Sequence, residues 1–252
     1  MTARSHRGWR LLSLALILAG GALGADVLAT ALWQEPVTAV IATIRRAGLN
    51  ERFSGTLSLS RVSMATLATI HSMDSRIAFL AAREARTAPD GAVIGRLVIP
   101  RIGAADDLIQ GADAASLELG PGHYGQTPLP GEGGTVAIAG HRTTYLAPFR
   151  DINELSPGDP VVLYMGYGTF TYTVTHSAVV APNAWWITRP VGHEQLVLSS
   201  CNPLFSAAQR LVVFARLVAI APAGPARLPS PDPVQSIGRG VQLPPVDADR
   251  HI

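Results

Sequence analysis

Lysine is missing altogether. All 20 basic residues of this 252-residue chain are arginine, and with 18 acidic residues the net charge is only +2. The arginines are scattered rather than gathered into an aromatic-interleaved stripe, so nucleic acid is not an expected partner. Cysteine is almost absent as well. The single thiol, Cys201, can form neither an intramolecular disulfide nor a thiolate zinc cluster. CxxC, HExxH, GxSxG, glycine-rich phosphate loops and calcium-loop patterns do not occur. No metal or cofactor is therefore expected.

What is present begins with Arg4, Arg7 and Arg10 ahead of a mostly apolar stretch from Leu11 to Trp33. Roughly 20 residues suit one bilayer span, and arginines on its near side place the N-terminus in the cytoplasm. Trp9 and Trp33 fall at the two interfaces. Asp26 fits poorly, since a carboxylate in hydrocarbon costs about 2.5–3.5 kcal/mol. The span then runs closer to Trp9–Ala25, or Asp26 lies near the outer headgroups. A cleaved secretory signal ending near Ala22-Leu-Gly24 is the competing reading. An uncleaved anchor is preferred, giving a single-pass protein of the cell membrane. Both readings put the rest of the chain outside the cytoplasm.

Four segments follow from the texture of the chain: a cytoplasmic tip and anchor (1–33), a stem (34–91), a main domain (92–221) and a tail (222–252). In the stem, Leu67, Ile70, Met73, Ile77 and Leu80 predict a helix from about Val62 to Arg86. Thr87-Ala-Pro-Asp-Gly91 breaks it. From Ala92 short β-type runs alternate with Gly/Pro turns: Val93–Pro100, Thr135–Ala139, Pro160–Tyr164, Thr169–Val180, Gln195–Ser200 and Leu211–Ile220. Such spacing predicts an all-β barrel or sandwich. The Pro-, Gly- and Arg-rich tail predicts disorder.

Cys201 ends one apolar run, and Arg210 opens the next about nine residues later. Paired antiparallel, the two runs set a thiol beside a guanidinium at one rim of a sheet. His141 ends another run, Thr135-Val-Ala-Ile-Ala-Gly-His. An imidazole can activate a thiol by taking its proton, and an arginine can stabilise the oxyanion formed on an attacked carbonyl. Cys, His and Arg thus suffice for acyl transfer through a thioester. Arg142 and Arg216 compete with Arg210, but Arg216 lies about 20 Å further along the same strand at 3.3–3.4 Å per residue. His123, in the Gly-Pro-Gly-His-Tyr turn, is expected to be structural, with a role near the pocket as the alternative.

The strings Gly95-Arg-Leu-Val-Ile-Pro-Arg-Ile-Gly103, Gly120-Pro-Gly-His-Tyr124, Ala137-Ile-Ala-Gly-His-Arg-Thr-Thr-Tyr145, Leu196-Val-Leu-Ser-Ser-Cys-Asn-Pro203 and Phe205-Ser-Ala-Ala-Gln-Arg-Leu-Val212 resemble sortases, most of all the class E type of high-GC Gram-positive bacteria. The resemblance covers about residues 93–220. It implies an all-β fold, an eight-stranded sortase-type β-barrel with short helices, preceded by a transmembrane helix and a helical stem. It further implies a cysteine transpeptidase with His141, Cys201 and Arg210 as catalytic residues. Cleavage would fall between Thr and Gly of a C-terminal LAxTG- or LPxTG-like sorting signal. The implied partners are surface proteins bearing such signals, an amine of a peptidoglycan precursor or of a pilin, and the lipid bilayer. Tyr145 and Ser200 are candidate substrate contacts, Tyr145 as a reader of the Ala position or else as barrel packing. Ser200 stands where the family usually has threonine, keeping the hydroxyl and losing a methyl. The alternatives are a secreted Cys-His hydrolase or endopeptidase using the same dyad, and a non-catalytic extracellular barrel.

Overall fold

The computed structural model describes residues 3–32, 36–47, 70 and 72–222. Trp33, the Val62–Leu67 part of the anticipated stem helix, His71 and the tail from 223 onward lie outside the described residues. Eight strands close into one barrel: β1 (Val93–Ile99), β2 (Ala104–Gln110), β3 (Gly122–His123), β4 (Thr135–Ala139), β5 (Pro160–Met165), β6 (Gly168–Val180), β7 (Gln195–Asn202) and β8 (Gln209–Pro222). Their order around the barrel is β1-β2-β3-β4-β7-β8-β6-β5. Period-two alternation sends Val136, Ile138, Leu196, Leu198, Leu211 and Val213 into the core. The alternate residues Ala137, Val197, Val212 and Phe214 point outward, yet they too are buried. Over them folds the segment between β6 and β7, whose Ile187 sits in a short 3-10 turn, Trp185–Thr188.

Two pairings decide where the chemistry can be. β4 and β7 run parallel, with Thr135 opposite Gln195 and Ala139 opposite Ser199, so both strands end at the same rim. β7 and β8 run antiparallel, with Cys201 opposite Arg210 and Gln195 opposite Arg216. Arg216 therefore stands at the other end of β7 from the thiol.

Among the described residues, three helices precede the barrel. Helix α1 spans Ala3–Leu32, and its segment Trp9–Thr30 is long and apolar enough to cross a membrane. Helix α2 spans Pro36–Ala47. Helix α3 spans Met73–Thr87, not the longer run from Val62. The reason is local: Ser72 has an extended backbone (φ −92°, ψ 142°) and its hydroxyl accepts the Ser75 N–H at 3.0 Å. That is an N-cap, and a helix does not run through it. The buried stripe of α3 also differs from the predicted one. Ile77 and Ala81 join the barrel core with Leu80 packed against them, whereas Met73 stays 49% exposed.

Candidate active site

His141 follows β4 by two positions and Cys201 follows Ser199 by two, so the parallel register carries the imidazole and the thiol side by side off neighbouring strands. Both line one cavity of about 400 Å³, together with Thr30, Arg142, Thr143, Thr144, Phe205, Ser206 and Ala207. Burial pushes the His141 imidazole below its ordinary value of 6.5, so it rests neutral at pH 7. A neutral ring can accept a thiol proton.

Two ties hold this register. The Ser200 hydroxyl donates to the Gly140 carbonyl at 2.7 Å, joining the residue before the cysteine to the residue before the histidine. Arg142, only 6% exposed, makes the second tie. Its Nη1 donates to the Cys201 carbonyl at 3.3 Å and to Asn202 Oδ1 at 3.0 Å. Its Nη2 donates to Asn153 Oδ1 at 2.6 Å and its Nε to the Arg150 carbonyl at 3.2 Å. All those donors are spent on the scaffold, so Arg142 ties the rim together. This role of Arg142 is not visible in the sequence. Its acceptors lie far along the chain, and only the fold assembles them.

Ser200 lies close to the barrel interior. It is 3% exposed and shares the inward face of β7 with Leu196 and Leu198. Its neighbour Cys201 faces the opposite way, as the period-two rule requires. Its hydroxyl is engaged with the Gly140 carbonyl. A side chain at Gly140 would force Phe149 to shift, because a Cβ there would meet its ring atoms at 2.5–2.8 Å.

Beyond His141 the chain turns back tightly, with the Phe149 N–H donating to the His141 carbonyl at 3.0 Å. Tyr145, Leu146 and Ala147 all take left-handed backbone conformations (φ 50°, 67° and 44°). Each non-glycine residue there costs about 1–2 kcal/mol, so strain is stored immediately beside the imidazole. The half-buried Tyr145 ring lies against His141, centroid to centroid 5.1 Å at a 39° tilt. Its hydroxyl donates to Glu118 Oε1 at 3.1 Å.

Arg210 lies directly across from Cys201, which sets their Cβ atoms about 4.5–5.5 Å apart on one sheet face. Its guanidinium does not reach into the His141–Cys201 cavity. Nη1 donates to the carbonyls of Ala207 and Gln209, both at 3.0 Å. The side chain lines an adjoining groove of about 170 Å³ with Tyr124, Ser199, Trp185 and Ile187. Cavity and groove thus meet at the Cys201–Arg210 pair.

His123 is fully buried, with Nδ1 at 3.1 Å from Gln110 Oε1 and Nε2 near Thr127 Oγ1 and the Pro128 carbonyl. Burial lowers it to about 4. It is a neutral structural residue. Among the described residues, no group of three or more His, Cys, Asp or Glu side chains is placed to hold a metal ion.

A closed eight-stranded barrel with cysteine and histidine at the ends of two parallel strands defines the class. Residues 97–218 match the sortase domain model, and the chain belongs to the sortase family. It is 35% identical over 132 residues to Sortase D of Bacillus subtilis, covering 51% of this chain and 65% of that protein. The chain thus spans a little under two thirds of that relative's length. Sortase E of Streptomyces avermitilis is 34% identical, with 53% of this chain and 93% of the solved chain covered and a TM-score of 0.49. Sortase E1 of Streptomyces coelicolor, solved with a tripeptide in its active site, is 29% identical. The alignment covers 54% of this chain and 93% of that one at a TM-score of 0.51.

Proposed function

We propose that the protein is a membrane-anchored cysteine transpeptidase whose catalytic residues are Cys201, His141 and Arg210. The observation that carries this reading is the shared rim: thiol and imidazole line one cavity and the guanidinium is the thiol's cross-strand partner. The Cys201 thiol gives its proton to His141, and the sulfur attacks the Thr carbonyl carbon of a C-terminal sorting signal. Arg210 swings from the Ala207 and Gln209 carbonyls to the oxyanion. The Thr–Gly C–N bond breaks as His141 returns the proton to the departing glycine nitrogen, leaving a Cys201 thioester. An amine then attacks the thioester, forming a new amide and regenerating the thiol.

The resemblance to class E favours an LAxTG-like signal. The groove beside Arg210 offers the peptide an outer-face bed along β7, and Tyr145 stands at the His141 side of the cavity. The acceptor is an amine of a cell-wall precursor or of a pilin. Having no lysine, this chain supplies no such side-chain amine itself. The anchor is α1, with the barrel on the outer side of the cell membrane.

The test is to incubate the full-length protein with an LAxTG-containing peptide and triglycine. The expected product is the peptide truncated after Thr and joined to triglycine, absent with Cys201→Ala. A hydrolysed peptide as the sole product under saturating triglycine identifies a hydrolase instead.

A further inference from the structure

Helix α2 has two unlike faces. Val37, Val40, Ile41 and Ile44 follow i, i+3, i+4, i+7 spacing and form one aliphatic stripe, exposed at 59%, 60%, 38% and 69%. The other face is latched to the barrel. Ala42 is fully buried, and Thr38 Oγ1 accepts the Tyr145 N–H at 3.0 Å. Arg45 forms an ion pair with Glu118, the carboxylate that also accepts the Tyr145 hydroxyl. The helix is therefore fastened to the residue that rests on His141, while its aliphatic stripe faces away from the barrel.

Chain length says what meets that stripe. Four Cα steps separate Leu32, the end of α1, from Pro36, the start of α2, and they reach about 14 Å at most. Thr30, the last residue of the apolar span, lines the His141–Cys201 cavity. If α1 crosses a bilayer, α2 begins within about 14 Å of that bilayer's surface. A stable protein partner needs roughly 800 Å² on each side, more than four side chains on one short helix supply. A helix with an aliphatic face and a polar face is suited to the boundary between headgroups and acyl chains.

We propose that α2 is an interfacial helix: its Val37–Val40–Ile41–Ile44 stripe is embedded in the outer leaflet, and its Thr38–Ala42–Arg45 face holds the barrel so that the His141–Cys201 cavity opens at the lipid surface. The proposal rests on the reading of α1 as a membrane anchor. A substrate tethered to the same bilayer meets the thiol without leaving the surface, which raises its effective concentration.

The test uses the full-length chain with Cys201→Ala, reconstituted into phosphatidylcholine–phosphatidylglycerol vesicles. A single environment-sensitive fluorophore is attached through Val40→Cys, Ile44→Cys, Leu16→Cys in α1, or Ser156→Cys on the exposed barrel surface. Lipids spin-labelled near the headgroup are expected to quench the probes at 40 and 44, lipids labelled deep in the acyl chain the probe at 16, and neither the probe at 156. Probes at 40 and 44 that behave like the one at 156, with the probe at 16 still quenched, leave the anchor standing and overturn the proposal. An unquenched probe at 16 removes both. Emission shifts at 40 and 44 that grow with protein concentration, without lipid quenching, assign the stripe to a second copy and also overturn it. With Cys201 intact, Val40→Glu with Ile44→Glu is expected to slow transfer of a vesicle-tethered substrate about tenfold, leaving turnover of a free peptide unchanged. Equal losses on both substrates contradict the proposal.

Discussion

Cys201 has little around it that is unusual in kind; what distinguishes it is who stands on the adjacent strands. The thiol lies between a histidine on the parallel partner and an arginine on the antiparallel one. The arginine is turned to two carbonyls of its own hairpin. Those bonds are solvent-exposed, and in the proposed mechanism they are exchanged for the oxyanion. Arg210→Ala is therefore expected to lower kcat/KM by about 10²–10³, the usual cost of losing an oxyanion donor, with little change in Tm. A fall in Tm of many degrees with proportionate loss of activity instead marks Arg210 as structural. Ser200 and Arg142 act one step removed, as residues that hold the two strand ends in register.

At the scale of elements, the turn from β4 into the His141 loop depends on Gly140. Gly140→Ala drives a methyl into the Phe149 ring, and overpacking of this kind costs about 1–3 kcal/mol. Both Tm and activity are expected to drop, with Gly140→Ala/Phe149→Leu more stable than the two single changes sum to. Strict additivity in that cycle contradicts the contact. The elements were unequally legible beforehand. Six strands announce themselves as alternating or apolar runs. β2 does not, because Asp106 and Asp107 interrupt its pattern and the strand is held by pairing with β1. β3 is two residues long and exists only through its neighbours. The strand-end positions of His141, Cys201 and Arg210 could be read from local pattern. Glu118, Thr38 and the ties of Arg142 could not, since each joins residues distant in the chain. The inward face of Ser200 was readable from alternation with Leu196 and Leu198.

Over the whole molecule, stability and pH are coupled away from the thiol. Glu194 accepts from the N–H groups of Gly131 and Gly133 and from the Tyr172 hydroxyl at 2.6 Å. Burial raises Glu84 on α3 from 4.5 to about 7. Because its folded value is the higher one, its favourable contribution is complete below about pH 4.5 and is lost as pH rises through 7. Buried His123 acts in the opposite sense, contributing above 6.5 and losing that contribution as pH falls toward 4. Glu84→Gln is thus expected to gain stability relative to the parent between pH 5 and 8. The gain is bounded by roughly 3 kcal/mol, the equivalent of the pKa displacement. Thermal melts of both proteins across that range test it, and a constant Tm difference contradicts it.

The central claim is that Cys201 carries the acyl group, and intact-protein mass spectrometry tests it most directly. The full-length protein is mixed with an LAxTG-containing peptide without any added amine and quenched in acid within the first turnover. The account predicts a species heavier by the peptide acyl fragment, mapped to Cys201, discharged by triglycine and absent with Cys201→Ala. Peptide cleavage that persists in Cys201→Ala, or turnover with no adduct on Cys201 at any time, contradicts it.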